Sequence, residues 1–166
     1  MGVAAIFGMF AGTFYWFPKM SGRMMNEKLG KLHFYLTFIG VYAIFTPMHF
    51  LGLAGNPRRY ADFTNVEYLG KLIPVHQFMT YAAYFTAAAQ IIFLVNLVWS
   101  LKKGAPAPVN PWNATTLEWT IPSPPPHDNF GGVHPVVYHG PYEYSVPGAA
   151  ADFIMQTDPA PVRSEG

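Results

Sequence analysis

Residues 32–60 read LHFYLTFIGVYAIFTPMHFLGLAGNPRRY, and no charged side chain occurs from 32 to 57. An uncharged run of this length is enough for a membrane-crossing helix, which takes about 17–25 residues. It ends on Gly55-Asn56-Pro57-Arg58-Arg59-Tyr60, so two permanent cations stand side by side at the mouth of an apolar segment. Such a pair needs an anionic partner. The guanidinium fork suits carboxylate or phosphate, so paired carboxylates or lipid phosphates are expected against Arg58 and Arg59.

Working outward, charge is also missing from 1–18 and from 72–101. The chain is 51% hydrophobic and only 11% charged, against roughly 25% charged in soluble domains. Its mean hydropathy of +0.17 is held down by a polar, proline-rich last third. An integral membrane protein with a soluble tail is expected. The net charge of +1 gives no case for nucleic-acid binding, and the lack of cysteine excludes disulfides and thiolate chemistry. Met1–Phe17 has no basic n-region and no Ala-x-Ala pattern, so it does not read as a signal peptide. It reads as a membrane helix whose beginning is missing.

Three spans are expected, at about 1–17, 32–52 and 72–101, within a helical region 1–103. Small residues such as Gly8, Gly12 and Ala11 in the first would allow close helix contact. Tyr15 and Trp16 suit an interfacial belt. The loop Lys19–Lys31 holds four cations against Glu27, and Lys102-Lys103 follow the third span. Basic residues favour the inner side. The first loop and the tail then face inward and the arginine loop outward, against the bias. Residues 104–166 contain 12 of the 16 prolines and no long apolar run. An extended inside-facing tail is expected, lying on other protein, with polyproline II at Pro122-Ser123-Pro124-Pro125-Pro126.

Three stretches carry a family resemblance: Tyr15-Trp16-Phe17-Pro18-Lys19-Met20-Ser21-Gly22-Arg23, Pro47-Met48-His49-Phe50-Leu51-Gly52-Leu53-Ala54-Gly55-Asn56-Pro57-Arg58-Arg59-Tyr60, and Asn110-Pro111-Trp112-Asn113-Ala114-Thr115-Thr116-Leu117-Glu118-Trp119 running on to Pro126. In order and spacing the chain resembles the C-terminal third of subunit I of the haem–copper oxidases, of the bacterial aa3 cytochrome c oxidase type. The resemblance covers roughly residues 1–130.

The resemblance implies an all-α integral membrane fold, with the three spans as the last three helices of a twelve-helix subunit. It implies an oxidoreductase that oxidises cytochrome c, reduces oxygen and pumps protons as part of a complex, not as an isolated chain. It implies haem a and haem a3, contacted but not ligated here, with copper also held elsewhere. The family's haem-ligating His-Phe-His motif, copper ligands, cross-linked tyrosine and magnesium ligands all precede the matching region. Arg58 and Arg59 correspond to the pair that contacts the propionates of both haems, and Phe45 to an aromatic packed on the low-spin haem. Implied partners are the N-terminal remainder of subunit I, subunits II and III, cytochrome c and membrane lipid. The implied location is the bacterial inner membrane, multi-pass, with a cytoplasmic tail. Met48 stands where the family often has Gln, and Asn56 where it usually has Met.

Two alternatives remain open on the residues: a quinol oxidase segment of the same superfamily, and a non-catalytic three-helix scaffold that anchors lipid through the arginines. His33 and His49 read as hydrogen-bonded structural residues, and His76 as a headgroup-level group. His127, His134 and His139 lack metal-ligand spacing. Glu118 and Trp119 read as positioning the tail.

Overall fold

The computed structural model describes residues 2–57, 59, 67–141 and 151–159. Among the described residues the helices are α1 (Gly2–Ser21), α2 (Glu27–Leu53), the short α3 (Glu67–Gly70) and α4 (Ile73–Lys103), with a 3₁₀ turn at Leu117–Trp119. No strand occurs among the described residues, and Arg23 and Pro106 form an antiparallel bridge. The chain divides into two compact units, residues 26–99 and residues 1–25 with 100–166.

In the first unit α2 and α4 are each long and apolar enough to cross a membrane. At about 1.5 Å per residue they measure roughly 40 and 46 Å, longer than a hydrocarbon core of about 30 Å. α2 begins before its uncharged run and α4 ends beyond its own. Asn26 accepts the Leu29 N–H at the start of α2, the standard remedy for an orphan donor. At its other end Gly55 sits at φ 82°, and the Asn56 N–H returns to the Leu51 carbonyl at 3.0 Å. A left-handed glycine closes a helix without a Cβ penalty. Pro74 falls in the first turn of α4, where its missing N–H is harmless.

The α2–α4 seam is antiparallel and polar. Asn26 lies opposite Asn96, His33 opposite Gln90, and Gly40 opposite Thr86. Gly40 is buried, and a Cβ there would run into the Thr86 side chain. Alanines 82 and 89 are buried on α4 as well. Small residues that bring backbones together, with polar groups bonded across, are how helices associate where water does not drive them.

In the second unit α1 runs through Pro18 to Ser21, past the expected stop at Phe17. Pro18 supplies no N–H to the helical ladder, yet the helix runs on to Ser21. The Gly22 N–H returns to the Pro18 carbonyl at 2.9 Å and Ser21 Oγ donates to the Phe17 carbonyl at 2.7 Å. The real terminator is Gly22 at φ 69°, where a Cβ would meet Pro124 Cδ at 2.9 Å.

The tail also differs from expectation: its first part docks on the end of α1 within this chain. Trp119 is 1% exposed and Ile121 8%. Bends at Ser123 and Pro124 interrupt any continuous polyproline helix. The segment after residue 150 returns through Gln156. Its N–H donates to the Thr115 carbonyl and its carbonyl accepts from the Tyr138 N–H. Its side chain accepts from the Leu117 N–H and donates to the His139 carbonyl.

Candidate functional site

The sequence-predicted site residues belong to the C-terminal end of α2 and the loop that follows it. Phe45 and His49 lie one turn apart on α2. The His49 Nδ1–H donates to the Phe45 carbonyl at 2.8 Å, which assigns the proton to Nδ1, since a carbonyl only accepts. Phe45 is 43% exposed and Met48 48%. Phe45 continues a line of rings along α2: Phe34 and Phe38 are 5.7 Å apart, and Phe38 and Tyr42 4.7 Å. These side chains are between 42% and 59% exposed, so the described residues leave the face only partly covered.

Beyond α2 the backbone turns at Gly55, whose carbonyl accepts from Tyr68 Oη at 3.2 Å. Leu51 and Leu69 are buried at this end. Arg59 is exposed and holds φ 56°, a conformation uncommon outside glycine. Among the described residues Arg59 has no ion-pair partner, and Phe45 and Arg59 make no direct contact. Arg58 lies outside the described residues. The result is an exposed cation close in sequence to an exposed aromatic face: chemistry for a flat apolar body with an anionic edge. Among the described residues no group of three or more His, Asp or Glu could hold a metal.

The polar seam beneath this face was not foreseen. Gln90 Nε2 donates to the Thr86 carbonyl at 2.9 Å and to Thr37 Oγ1 at 3.1 Å. Its Oε1 therefore faces His33 Nε2, 2.9 Å away, and accepts the proton from it. His33 is 3% exposed and tilts against Phe93, ring centres 5.4 Å apart. Asn26 and Asn96 bond reciprocally, N–H to Oδ1 at 3.1 Å and Nδ2 to carbonyl at 3.0 Å. The expectation for His33, a hydrogen-bonded structural residue, matches. Its partner could have been flagged, because an amide in a thirty-residue uncharged run needs a bonding partner.

In the other unit Lys19 is buried, with 6% of its surface exposed. Nζ donates to the carbonyls of Ile121 at 2.6 Å, Val109 at 3.2 Å and Pro122 at 3.5 Å, and lies 4.9 Å from the centre of the Trp119 ring. Burial pulls the Lys19 amine below its ordinary value and Glu118 partly restores it. Tyr15 is the centre of three tryptophans. Trp119 Nε1 donates to its hydroxyl at 2.8 Å, Trp112 Nε1 to its carbonyl at 3.0 Å, and Trp16 meets its ring edge-on at 5.1 Å. Trp119 thus anchors the tail, Tyr15 does more than its interfacial reading suggested, and Lys19 is a buried donor rather than a loop cation.

The chain is mostly helical, with two helices long and apolar enough to cross a membrane. Comparison with known proteins gives the class and then the family. The profile of the cytochrome c and quinol oxidase polypeptide I family matches residues 1–119. The chain is 50% identical over 163 residues to the alternative cytochrome c oxidase subunit 1 of Bradyrhizobium diazoefficiens, which covers 97% of this chain and 28% of that protein. It is 49% identical over 140 residues to cytochrome c oxidase subunit 1 of Synechocystis, covering 84% of this chain and 24% of that one. A heme-copper oxidase subunit I+III of Aeropyrum pernix is 45% identical over 130 residues, 78% of this chain and 15% of that protein. The chain belongs to the cytochrome c and quinol oxidase polypeptide I family, whose chains are membrane-bound oxidoreductases of respiration. It spans about a quarter of the length of the first two of these relatives.

Proposed function

We propose that this chain forms part of subunit I of a terminal respiratory oxidase that oxidises cytochrome c, reduces oxygen and pumps protons. The observation that carries the reading is the family match over residues 1–119, with half the residues shared with a cytochrome c oxidase subunit along nearly the whole chain. Helices α1, α2 and α4 are the last three spans of the subunit. The remainder of the subunit covers their exposed faces, and subunits II and III complete the assembly. The setting is a bacterial inner membrane, with the tail from residue 104 on the cytoplasmic side.

The bound haem a and haem a3, with copper, supply the electron-carrying and oxygen-reducing chemistry. This chain ligates none of them. Its share is packing and electrostatics. Phe45 offers an aromatic surface to the low-spin haem. Arg58 and Arg59 hold propionates ionised, since a carboxylate withdrawn from water is costly without a paired cation. The fit rests on Arg59 standing exposed with no ion-pair partner among the described residues, and on the part-exposed aromatic side chains of α2. Positive charge near a haem raises its reduction potential, one of the levers a protein has on haem electronics. A quinol donor is the second reading, favoured by the family description, which covers both donors.

The test is purification of the membrane complex, an optical spectrum and a redox titration. A haem-bearing partner chain should co-purify, and Arg59→Gln should lower a haem midpoint potential while leaving haem content near normal. The absence of a haem spectrum in the purified complex would sink the oxidase reading. An unchanged potential in Arg59→Gln would remove the propionate contact. Comparison of cytochrome c and quinol as donors decides between the two readings.

A further inference from the structure

The facing of α2 needs an explanation, because its apolar residues do not supply one. Large apolar side chains occur on all sides of this helix, from Leu32 and Phe34 to Ile39, Ile44 and Phe50. In hydrocarbon, apolar packing alone gives a helix little rotational preference, whereas hydrogen bonds between helices are directional. At about 100° per residue, His33, Thr37 and Gly40 fall within an arc of roughly 60°. Phe34, Phe38, Tyr42 and Phe45 fall within roughly 80°, centred about 130° away around the helix. Whatever fixes the first arc therefore also decides where the second one points.

The bonds that fix the first arc form one directed chain. His33 donates through Nε2 to Gln90 Oε1, and Gln90 Nε2 donates to Thr37 Oγ1 and to the Thr86 carbonyl. The amide cannot be turned around, because the Thr86 carbonyl accepts only and requires the nitrogen. His33 and Thr37 lie one turn apart on α2, so a single side chain of α4 grips two successive turns. Rotating α2 by one residue would break both grips and leave buried donors without partners, the costly outcome for a polar group out of water. The Asn26–Asn96 pair holds the end of the helix, but it uses the Asn26 backbone and constrains rotation less.

We propose that Gln90, acting on His33 and Thr37, is a positioning device that sets the rotation of α2 and so aims the Phe34–Phe45 face and Phe45 itself at the cofactor. This rests on the oxidase reading above. Gln90 touches no cofactor and acts only through α2.

The test uses the whole oxidase complex carrying variants in this chain, with the haem absorption band, the haem midpoint potential and thermal stability read separately. Gln90→Leu is expected to move the low-spin haem band and potential at unchanged haem content. His33→Gln, which retains a donor toward Gln90, should stay near the native band position. Thr86→Ala removes a hydroxyl of the same seam that donates only to Ala82 within α4, and should leave the band in place even if stability falls. If Gln90→Leu fails to assemble, Thr37→Val removes the hydroxyl that accepts from Gln90, with little change of size, and should give a smaller shift in the same direction. A native band in Gln90→Leu, or in Thr37→Val where that variant is the one measured, overturns the proposal. So does an equal shift in Thr86→Ala. Failure of the oxidase reading looks different: there Arg59→Gln is silent too and no haem accompanies the chain. A shift in Arg59→Gln with none in Gln90→Leu removes only the positioning role.

Discussion

The α2–α4 seam and the docked tail solve the same problem in opposite ways. Both bury polar groups. In the seam the backbone inside the two helices is bonded mostly along its own helix, so the polar atoms in play belong mostly to side chains. These bond one another across the pair: imidazole to amide, amide to hydroxyl. In the tail the backbone has almost no secondary structure, and its carbonyls need donors from outside. Side chains of α1 and the loop after it supply them: Lys19 to three carbonyls, and Arg23 Nη1 to the Gly104 carbonyl at 2.8 Å. Regular structure leaves side chains free to choose partners, whereas irregular structure conscripts them to satisfy backbone.

The comparison can be broken most forcefully at Trp119. Its side chain is almost wholly buried and also bonds Tyr15. Trp119→Ala should cost about 3–5 kcal/mol, the range for emptying a large aromatic site. Limited proteolysis of the assembled oxidase should then cut within residues 104–125, a region protected in the native protein. Native-like protection would mean that the tail is held from elsewhere.

Lys19→Met keeps the length of the side chain and removes the ammonium. It strands the carbonyls of Val109, Ile121 and Pro122, and about 1–3 kcal/mol should be lost. Lys19→Arg should recover part of the loss. Thermal denaturation of the complex, read beside proteolysis, distinguishes the two. If Met were as stable as Lys, carbonyl capture would not be what docks the tail.

On the seam side, Gly40→Ala should overpack against Thr86 and cost about 1–3 kcal/mol. Combined with Thr86→Ala, most of the loss should return, because the obstructing atoms are those of Thr86. Strict additivity in the double variant would show that the two helices do not meet there.

The smallest effect belongs to the surface pair Glu27–Lys31, 2.6 Å apart and highly exposed on both sides. Hydrogen bonding and charge from Lys31 hold the Glu27 carboxyl below its usual range. A depressed acid contributes stability above its ordinary value and loses it as pH falls through the depressed one. Lys31→Met should therefore flatten a slight acid sensitivity visible only at low salt, since exposed pairs are screened. A marked loss of stability at neutral pH and high salt would contradict this.

Much of the fold was legible because charge is so scarce. The uncharged runs 32–57 and 72–101 contain most of α2 and α4, and the errors at the ends trace to local devices: the Asn26 cap, and Gly22 rather than Pro18 as the terminator of α1. Arg59 and Phe45 were legible as residue types in place, and both stand exposed in the fold. Gln90 and Asn96 were not read as seam residues, since an amide in an apolar run announces only that it needs a partner. The burial of Lys19 was equally hidden, because its three acceptors are carbonyls some ninety to a hundred residues away, which no side-chain pattern encodes.

Sequence by itself determined the membrane character, the long helices and the family. These follow from composition and local motif, which act over a few turns of chain. Only the tertiary structure decided which amide meets which imidazole, which way Gln90 is turned and which lysine is buried under the tail. Those depend on groups far apart in sequence, brought within hydrogen-bond distance by packing, and a hydrogen bond exists only where distance and direction are both met.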